Sequence, residues 1–266
     1  MSTDEWGGAA VDLDAYLART GQPRTAPSAA ALRKLAKAHV LAIPFENVDV
    51  VLKQHRGISL DVVTEKLVGR QRGGYCYEQS GLFAAVAEQL GYRVHRLVAR
   101  VQPRRPGPNT HMTLVIEADG VPHLVDVGFG AGMLVPMPLV DGEVVDQAGW
   151  PHRLVARDGW WTLQKQVADG WEDLHEFRLQ GMHRIDYEVY HHYTSTHSHS
   201  PFTGRLLIMR LEQGLSRRLL GRELTVERPG RPAETTTVEP DRLAATLKEL
   251  DVILTPDELE RLLAIY

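Results

Sequence analysis

Hydrophobic positions in the first third of the chain recur at three- and four-residue steps, the spacing of amphipathic helices. Ser28 precedes one such run as an N-cap, Pro44 ends it, and Gly91 follows another run as a C-cap. The pattern predicts helices over residues 11–19, 29–41, 60–67 and 77–90.

Beyond Gly91 the pattern changes to the alternation that is typical of β-strands. The dipeptides Asp119-Gly120, Asp158-Gly159 and Asp169-Gly170 mark turns between runs, as an antiparallel sheet or barrel requires. Strands are predicted over residues 93–101, 112–117, 121–127, 153–156, 160–167, 171–178, 205–212 and 217–225.

Two helices are predicted near the end of the chain. One covers residues 239–250, and the other starts at a capping box of Thr255 and Glu258 with Pro256 in its first turn. The fold class is therefore α+β. We expect a helical bundle over residues 1–92, an antiparallel β-barrel over 93–200 and a smaller α/β unit over 201–266.

Charge and composition narrow the functional classes. The 266 residues include 30 Lys and Arg against 34 Asp and Glu, a net charge of −4, so neither nucleic acid nor an anionic membrane is expected as a partner. Residues 1–8 lack the basic flank and apolar run of a signal peptide, and no run approaches the roughly 20 apolar residues of a membrane span. We expect a cytoplasmic protein.

Cys76 is the only cysteine, so it forms no internal disulfide and builds no thiolate zinc site. It is either a small core residue or a reactive thiol. Gly73 and Gly74 allow a tight turn just before it, and a helical pattern starts directly behind it. A helix N-terminus favours a thiolate, and its free amides can stabilise an oxyanion. This context is typical of a nucleophile.

His111 and Asp126 are the candidate partners of that thiol. They lie 15 residues apart, at the ends of two predicted neighbouring strands, so their side chains can meet. A carboxylate between Val125 and Val127 is costly to bury unless it is paired. Taken singly, His111 could be an edge histidine and Asp126 a strand-end cap. Together with Cys76 they favour a Cys-His-Asp triad.

Four motifs contain or precede these residues, namely Ile43-Pro-Phe-Glu-Asn-Val48, Arg72-Gly-Gly-Tyr-Cys-Tyr-Glu-Gln79, Thr110-His111 and Val125-Asp-Val-Gly-Phe-Gly130. In order and spacing they resemble the motifs of the arylamine N-acetyltransferase family. The resemblance extends through Asp186-Tyr-Glu-Val to Ser200-Pro-Phe202 and covers about three quarters of the chain. It implies Cys76, His111 and Asp126 as the triad, and an α/β lid on a cysteine-protease or transglutaminase-like core. It also implies acetyl-CoA as a co-substrate, with no permanently bound cofactor.

The resemblance also implies an acceptor pocket. Phe45, Phe129 and Phe202 match family positions that line it, where apolar walls would exclude water from an acyl-enzyme. Without the resemblance, each aromatic ring would be assigned to core packing.

Further residues of the motifs have two interpretations each. We expect Glu46 and Arg72 to pair beneath Cys76, the alternative being two solvated surface charges. Gly128 and Gly130 could let pantetheine or pyrophosphate approach the backbone, or could form an ordinary turn.

Two groups of polar residues near these motifs are not expected to form sites. Arg104 and Arg105 could meet phosphates of coenzyme A, but a solvated loop is the preferred interpretation. No metal site is expected at the histidines of residues 191–199, because no carboxylate or thiolate lies among them. These histidines are His191, His192, His197 and His199.

The sequence also departs from the family pattern at three positions. His191 and Ser80 stand where Asn is common, and Ser198 stands where Pro is common. These departures spare the triad and put the acceptor range in doubt.

The expected activity is acetyl transfer from acetyl-CoA, through an acyl-cysteine, to an arylamine or hydrazine. Alternatives are an amide synthase that closes a macrolactam from a carrier-bound aryl-amine polyketide, and a cysteine hydrolase or transglutaminase-like enzyme. A third is a non-enzymatic binding protein on the same fold. A homodimer is also compatible with this sequence.

Overall fold

The computed structural model describes residues 5–130 and 132–266, and its first third is helical as predicted. Asp12 and Ser28 cap the first two helices, because their side chains accept from the backbone N–H groups of Ala15 and Ala31. The helices are α1 (Leu13–Thr20), α2 (Ala29–Ala42), α3 (Val48–Val51), α4 (Leu60–Thr64) and α5 (Cys76–Gln89), with a 3-10 turn at Gly8–Ala10 and a π-type turn at Glu65–Gly69. A short strand β1 (Phe45–Glu46) lies between α2 and α3.

Within the described residues, eight strands form one antiparallel sheet in the order β5-β4-β3-β2-β9-β8-β7-β6. The edge strands β5 and β6 are consecutive in the chain, so the sheet curls into a nearly closed barrel. The strands are β2 (Arg93–Val101), β3 (His111–Ala118), β4 (Val121–Val125), β5 (Met137–Pro138), β6 (Val144–Gln147), β7 (Trp150–Arg157), β8 (Trp160–Val167) and β9 (Gly170–Phe177).

The rest of the chain combines helices with a second antiparallel sheet. The helix α6 (Arg184–Thr196) follows the barrel strands, and β1 forms one edge of this second sheet, in the order β1-β10-β11-β12-β13. The remaining elements are β10 (Leu207–Glu212), β11 (Leu215–Leu220), β12 (Glu223–Glu227), β13 (Glu234–Thr237), α7 (Pro240–Glu249) and α8 (Pro256–Leu263).

The strand predicted over residues 217–225 is wrong, because the chain reverses direction within it. Gly221 adopts a φ of 56° and forms the turn of a hairpin that pairs Leu220 with Glu223. The prediction also missed α6 within the segment that was expected to be barrel, because its apolar positions are sparse. The three proposed domain boundaries remain predictions.

The helix α5 lies at the centre of the largest hydrophobic cluster. Eleven of its residues are buried, including Leu82, Phe83 and Val86. Because apolar groups surround the helix on nearly every side, its first residue is fixed in position relative to the barrel.

Among the described residues, no helix is long and apolar enough to span a membrane.

Candidate active site

Cys76 is the first residue of α5 and is 3% exposed. Gly73 brings the preceding loop close to the 43–48 motif, since a Cβ there would lie 2.3 Å from the Pro44 carbonyl oxygen. The helix start is closed by Glu78, whose Oε2 accepts from the backbone N–H of Tyr75 at 3.1 Å. The predicted placement of the thiol at a helix N-terminus is confirmed.

His111 and Asp126 meet across the β3–β4 hairpin. His111 opens β3, Asp126 directly follows β4, and the register pairs Leu114 with Val125. His111 Nε2 lies 2.7 Å from Asp126 Oδ2, and both side chains are buried. The expected contact between the two residues is therefore present.

Electrostatics in this pair favour a charged histidine. Burial by itself disfavours the imidazolium, but the Asp126 carboxylate and then Cys76 outweigh burial, so the pKa of His111 is raised. Burial likewise opposes ionisation of Asp126, yet contact with His111 and His175 holds the pKa of that carboxyl well below its usual range. Cys76 thus faces a histidine that can carry a proton and a positive charge.

His175, on β9, is the site residue that the sequence did not reveal. Its side chain is fully buried, and its Nε2 lies 2.9 Å from Asp126 Oδ2. His111, Asp126 and His175 offer three ligand atoms within 4.8 Å of one another. Ligands around tetrahedral zinc would stand about 3.3 Å apart, whereas the two contacts to Asp126 Oδ2 are 2.7 and 2.9 Å, so this spacing does not suit a zinc ion.

Gly128 packs directly on the nucleophile. A Cβ at this position would lie 2.8 Å from Cys76 Cα and 2.8 Å from Ser80 Oγ. Its missing side chain therefore lets the segment after β4 contact the start of α5. The neighbouring Phe129 places its ring 5.1 Å from that of His111, at the edge of the candidate triad.

A buried network of charges lies beneath the cysteine loop. Arg72 donates to Glu46 at 3.0 Å, to Asp49 at 3.4 Å and to Glu258 of α8 at 2.9 Å. Burial disfavours the guanidinium charge, but these carboxylates outweigh it and raise the pKa of Arg72. The expected Glu46–Arg72 pairing is confirmed, and the interpretation as two solvated charges is wrong.

Lys66 continues this network toward the helix that carries the thiol. Its Nζ donates to Glu78 at 2.8 Å and lies 3.2 Å from Asp49, with all three side chains buried. Glu78 also closes the N-terminus of α5, so the network holds the loop and the helix start together. Sequence reasoning missed Asp49, Lys66 and Glu78 because nothing in a helical pattern distinguishes a buried charge from a solvated one.

Comparison with known proteins decides the family. A model of the N-acetyltransferase family matches residues 28–254. The chain is 35% identical to the arylamine N-acetyltransferase of Mycobacterium tuberculosis, over 95% of this chain and 93% of that protein. The chain belongs to the arylamine N-acetyltransferase family. The resemblance in the motifs is thereby confirmed.

Solved structures of other arylamine N-acetyltransferases share the fold. The Nocardia farcinica enzyme is 39% identical with a TM-score of 0.90, over 97% of this chain and 95% of that one. The Mycobacterium marinum enzyme in complex with CoA is 35% identical with a TM-score of 0.87, over 96% and 99%. The likeness therefore spans nearly the whole length of this chain.

The three phenylalanines that were predicted to line the acceptor pocket, Phe45, Phe129 and Phe202, lie in two groups. The Phe45 ring lies 6.1 Å from that of Phe202, which lies 5.7 Å from Tyr75. Asn47 ties this group together, since it donates to the Phe202 carbonyl at 2.9 Å and accepts from Leu207 N–H at 2.7 Å. Phe129 instead packs on the histidines of the candidate triad.

His191, a departure from the family pattern, faces this aromatic group. Its Nδ1 hydrogen-bonds to the hydroxyl of Tyr75, and its ring lies 4.7 Å from that of His55. Burial lowers the pKa of His191 to about 4, so the ring is neutral at pH 7. The other histidines of the run point elsewhere, with the His197 ring stacked on Tyr193 at 4.5 Å.

The remaining polar candidates are an arginine in a surface ion pair and two basic residues beside a cavity. Arg104 is exposed and donates to Asp173 at 2.6 Å, which agrees with a solvated loop. A cavity of about 570 Å³ opens beside His55 between α3, the end of α6 and α8. The basic side chains of Lys53 and Arg205 lie on its wall.

Proposed function

We propose that this arylamine N-acetyltransferase carries an acetyl group on Cys76 between acetyl-CoA and an arylamine or hydrazine. One observation carries the proposal: a lone buried thiol at a helix N-terminus faces a buried histidine that is paired with a carboxylate. In this proposal Cys76 is the nucleophile, His111 transfers protons and Asp126 orients His111.

The first half-reaction forms the acyl-enzyme. The Cys76 thiolate attacks the thioester carbonyl, the C–S bond to coenzyme A breaks, and the leaving thiolate takes the proton held by His111. Backbone N–H groups at the start of α5 are available to the oxyanion. One thioester replaces another, so little driving force is lost.

The second half-reaction releases the acetyl group as an amide. The amine nitrogen attacks the acetyl-cysteine carbonyl, neutral His111 accepts its proton, and the thiolate–imidazolium pair is restored. A weakly basic aromatic amine suits this step, because it is neutral at pH 7. Phe45, Phe129 and Phe202 would supply apolar walls that exclude water from the acyl-enzyme.

Acetyl-CoA as the donor is supported by the relative from Mycobacterium marinum, which forms a complex with CoA. The basic side chains of Lys53 and Arg205 beside the cavity offer partners for its phosphates. A role for Gly128 and Gly130 in approaching pantetheine is part of the same proposal. The cytoplasm as location, a homodimer, the lid and its cysteine-protease-like core, and the three domain boundaries are proposed alongside it.

An amide synthase that forms macrolactams is the second candidate. Its support is His191, which differs from the common family residue and contacts Tyr75 in the aromatic group beside Phe202. The two candidates share the triad and differ in the acceptor, so the acceptor side has to decide between them.

A mass-spectrometric assay with acetyl-CoA and a simple arylamine tests the proposal. We expect an N-acetylated product that depends on the amine and is absent with a Cys76→Ala variant. A persistent acetyl-enzyme without amide product would favour the amide synthase. Release of acetate without the amine would favour a cysteine hydrolase.

A further inference from the structure

A β-bulge and neighbouring aromatic rings hold the side chain of His175 on the inner face of the barrel. It lies on β9 opposite Leu163 of β8, next to a register shift that leaves Leu174 without a partner on β8. Such a bulge redirects the strand and the side chain beside it. The ring of His175 contacts Phe129 edge-on at 5.0 Å and Phe177 at 5.9 Å, so aromatic rings fix its position.

Two histidines share a single carboxylate oxygen in this site. His175 Nε2 lies 2.9 Å and His111 Nε2 2.7 Å from Oδ2 of Asp126. His175 Nε2 lies at hydrogen-bond distance from this oxygen, but among the described residues neither ring nitrogen of His175 nor Oδ1 of Asp126 has a well-aligned hydrogen-bond partner. Oδ2 is therefore the point at which the buried charge of Asp126 is neutralised.

The two histidines cannot both be positively charged. One buried carboxylate neutralises only one imidazolium, and a second positive charge would remain without a partner. Burial and the proximity of His111 oppose a charge on His175, although Asp126 favours one, and the pKa of His175 is lowered. His175 is thus a neutral ring, and its contact with Oδ2 requires the proton on Nε2.

We propose that His175 is a positioning residue whose neutral Nε2–H keeps Asp126 ionised while His111 is neutral. This inference rests on the acyl-cysteine mechanism above. In the free enzyme His111 carries a proton and itself stabilises the carboxylate. In the acyl-enzyme that proton has left with coenzyme A, and His175 is then the additional donor on a carboxylate that water does not reach.

The two half-reactions should therefore respond differently to loss of His175. Acylation starts from the thiolate–imidazolium pair, where His111 compensates for the missing donor. Deacylation by the amine starts from neutral His111 and needs an ionised Asp126 to stabilise the imidazolium that forms. Without His175 the acyl-enzyme binds a proton more readily, so the acid limb of the deacylation profile moves to higher pH.

The groups that set this pH dependence come from three elements besides β9. Asp126, after β4, and His111, on β3, face His175 and are the charged groups that act on its pKa. Cys76, on α5, acts on His111 in turn. Acetylation of Cys76 removes its thiol from this set, so the pH dependence of deacylation reports on Asp126, His111 and His175.

The test uses the full-length protein with four variants. His175→Phe and His175→Leu remove the donor, and His175→Gln keeps a neutral N–H donor near the Nε2 position. His152→Phe is the matched control, since His152 is a buried barrel histidine on β7 that hydrogen-bonds the carbonyl oxygen of Trp150 on its own strand. Stopped-flow measurements give acylation by acetyl-CoA and deacylation by an arylamine between pH 5 and 9.

We expect the Phe and Leu variants to lose about 3- to 10-fold in deacylation rate, the range of an ordinary hydrogen bond because this N–H is poorly aligned, and under twofold in acylation. The acid limb of their deacylation rate profile should move to higher pH by about one unit. His175→Gln should restore both values, and His152→Phe should leave the ratio of the two rates unchanged.

Equal losses in both half-reactions, an unmoved acid limb, or a Gln variant as impaired as Phe would overturn the role of His175. If neither the Phe nor the Leu variant folds, His175→Asn, whose shorter amide does not reach Oδ2, replaces them with the same expected losses, and His175→Gln remains the variant that restores both values. Failure of the parent mechanism is recognised separately. It would appear as a wild-type protein without any acetyl adduct on Cys76.

Discussion

Gly128→Ala tests how closely the segment after β4 must contact the nucleophile. The added Cβ would lie 2.8 Å from Cys76 Cα, whereas ordinary contacts of a Cβ begin at 3.4 Å, so the two segments must separate by about 0.6 Å. Cys76 Cα is backbone at the start of a helix packed on all sides and cannot rotate away. The segment that yields is the one that carries Asp126.

The expected result is a large loss of activity with a modest loss of stability. A misplacement of about 1 Å in a reacting group can cost 10²-fold, so a shift of this size should lower kcat/KM for acetyl transfer by about 10- to 100-fold. Overpacking of this kind destabilises a fold by about 1–3 kcal/mol. Steady-state kinetics, circular dichroism and urea unfolding measure the two effects on the same sample.

Gly181→Ala is the matched control, because a Cβ there meets no atom within 4 Å. It should leave kcat/KM within about twofold of wild type. Ser80→Ala should not rescue Gly128→Ala, since the backbone clash with Cys76 Cα remains. A folded Gly128→Ala protein with wild-type kinetics would refute the account of this packing.

Four further predictions concern the triad, the acceptor side and acid stability. Asp126→Asn should stay folded and lose on the order of 10⁴ in turnover, and unchanged kinetics in folded protein would rule out its orienting role. Phe202→Ala should lower kcat/KM for the arylamine by about 10- to 100-fold but leave the acylation rate nearly unchanged, with equal losses in both half-reactions indicating a core residue. Iodoacetamide at neutral pH should alkylate Cys76 rapidly and abolish activity, with protection by acetyl-CoA, and alkylation at the rate of an ordinary free thiol would contradict this. Burial lowers the pKa of His39 to about 3, so the unfolded chain binds a proton there below about pH 6.5 and stability should fall as the pH falls, with a contribution from His39 of up to about 1.4 kcal/mol per unit; urea unfolding from pH 7.5 to 5 should show a shallower slope in a folded His39→Gln variant, and an unchanged slope would contradict the contribution of His39.

The local signals in the sequence were sufficient for most elements and for the candidate triad. The helix that follows Cys76 and the hairpin that joins His111 to Asp126 depend on turn residues and hydrophobic period, which are local properties. Glu46 and Arg72 were expected to pair, and they do. The hairpin turn at Gly221 was missed because alternating residues continue on both sides of it.

Residues that join the site from distant parts of the chain were not predictable. His175 looks like any inward residue of an alternating strand, and only the folded sheet places it against Asp126. Glu258 was interpreted as a local helix cap, which it is, but its side chain also reaches Arg72 across 186 residues. Such contacts depend on tertiary packing, about which a single sequence carries little information.

Intact-mass spectrometry of the protein with acetyl-CoA alone tests the central claim most directly. The account predicts a gain of one acetyl group, located on Cys76 by peptide mapping, absent in Cys76→Ala, and discharged when an arylamine is added. An unmodified Cys76 in a protein that nevertheless acetylates the arylamine would show direct transfer from acetyl-CoA, and would contradict the acyl-cysteine mechanism.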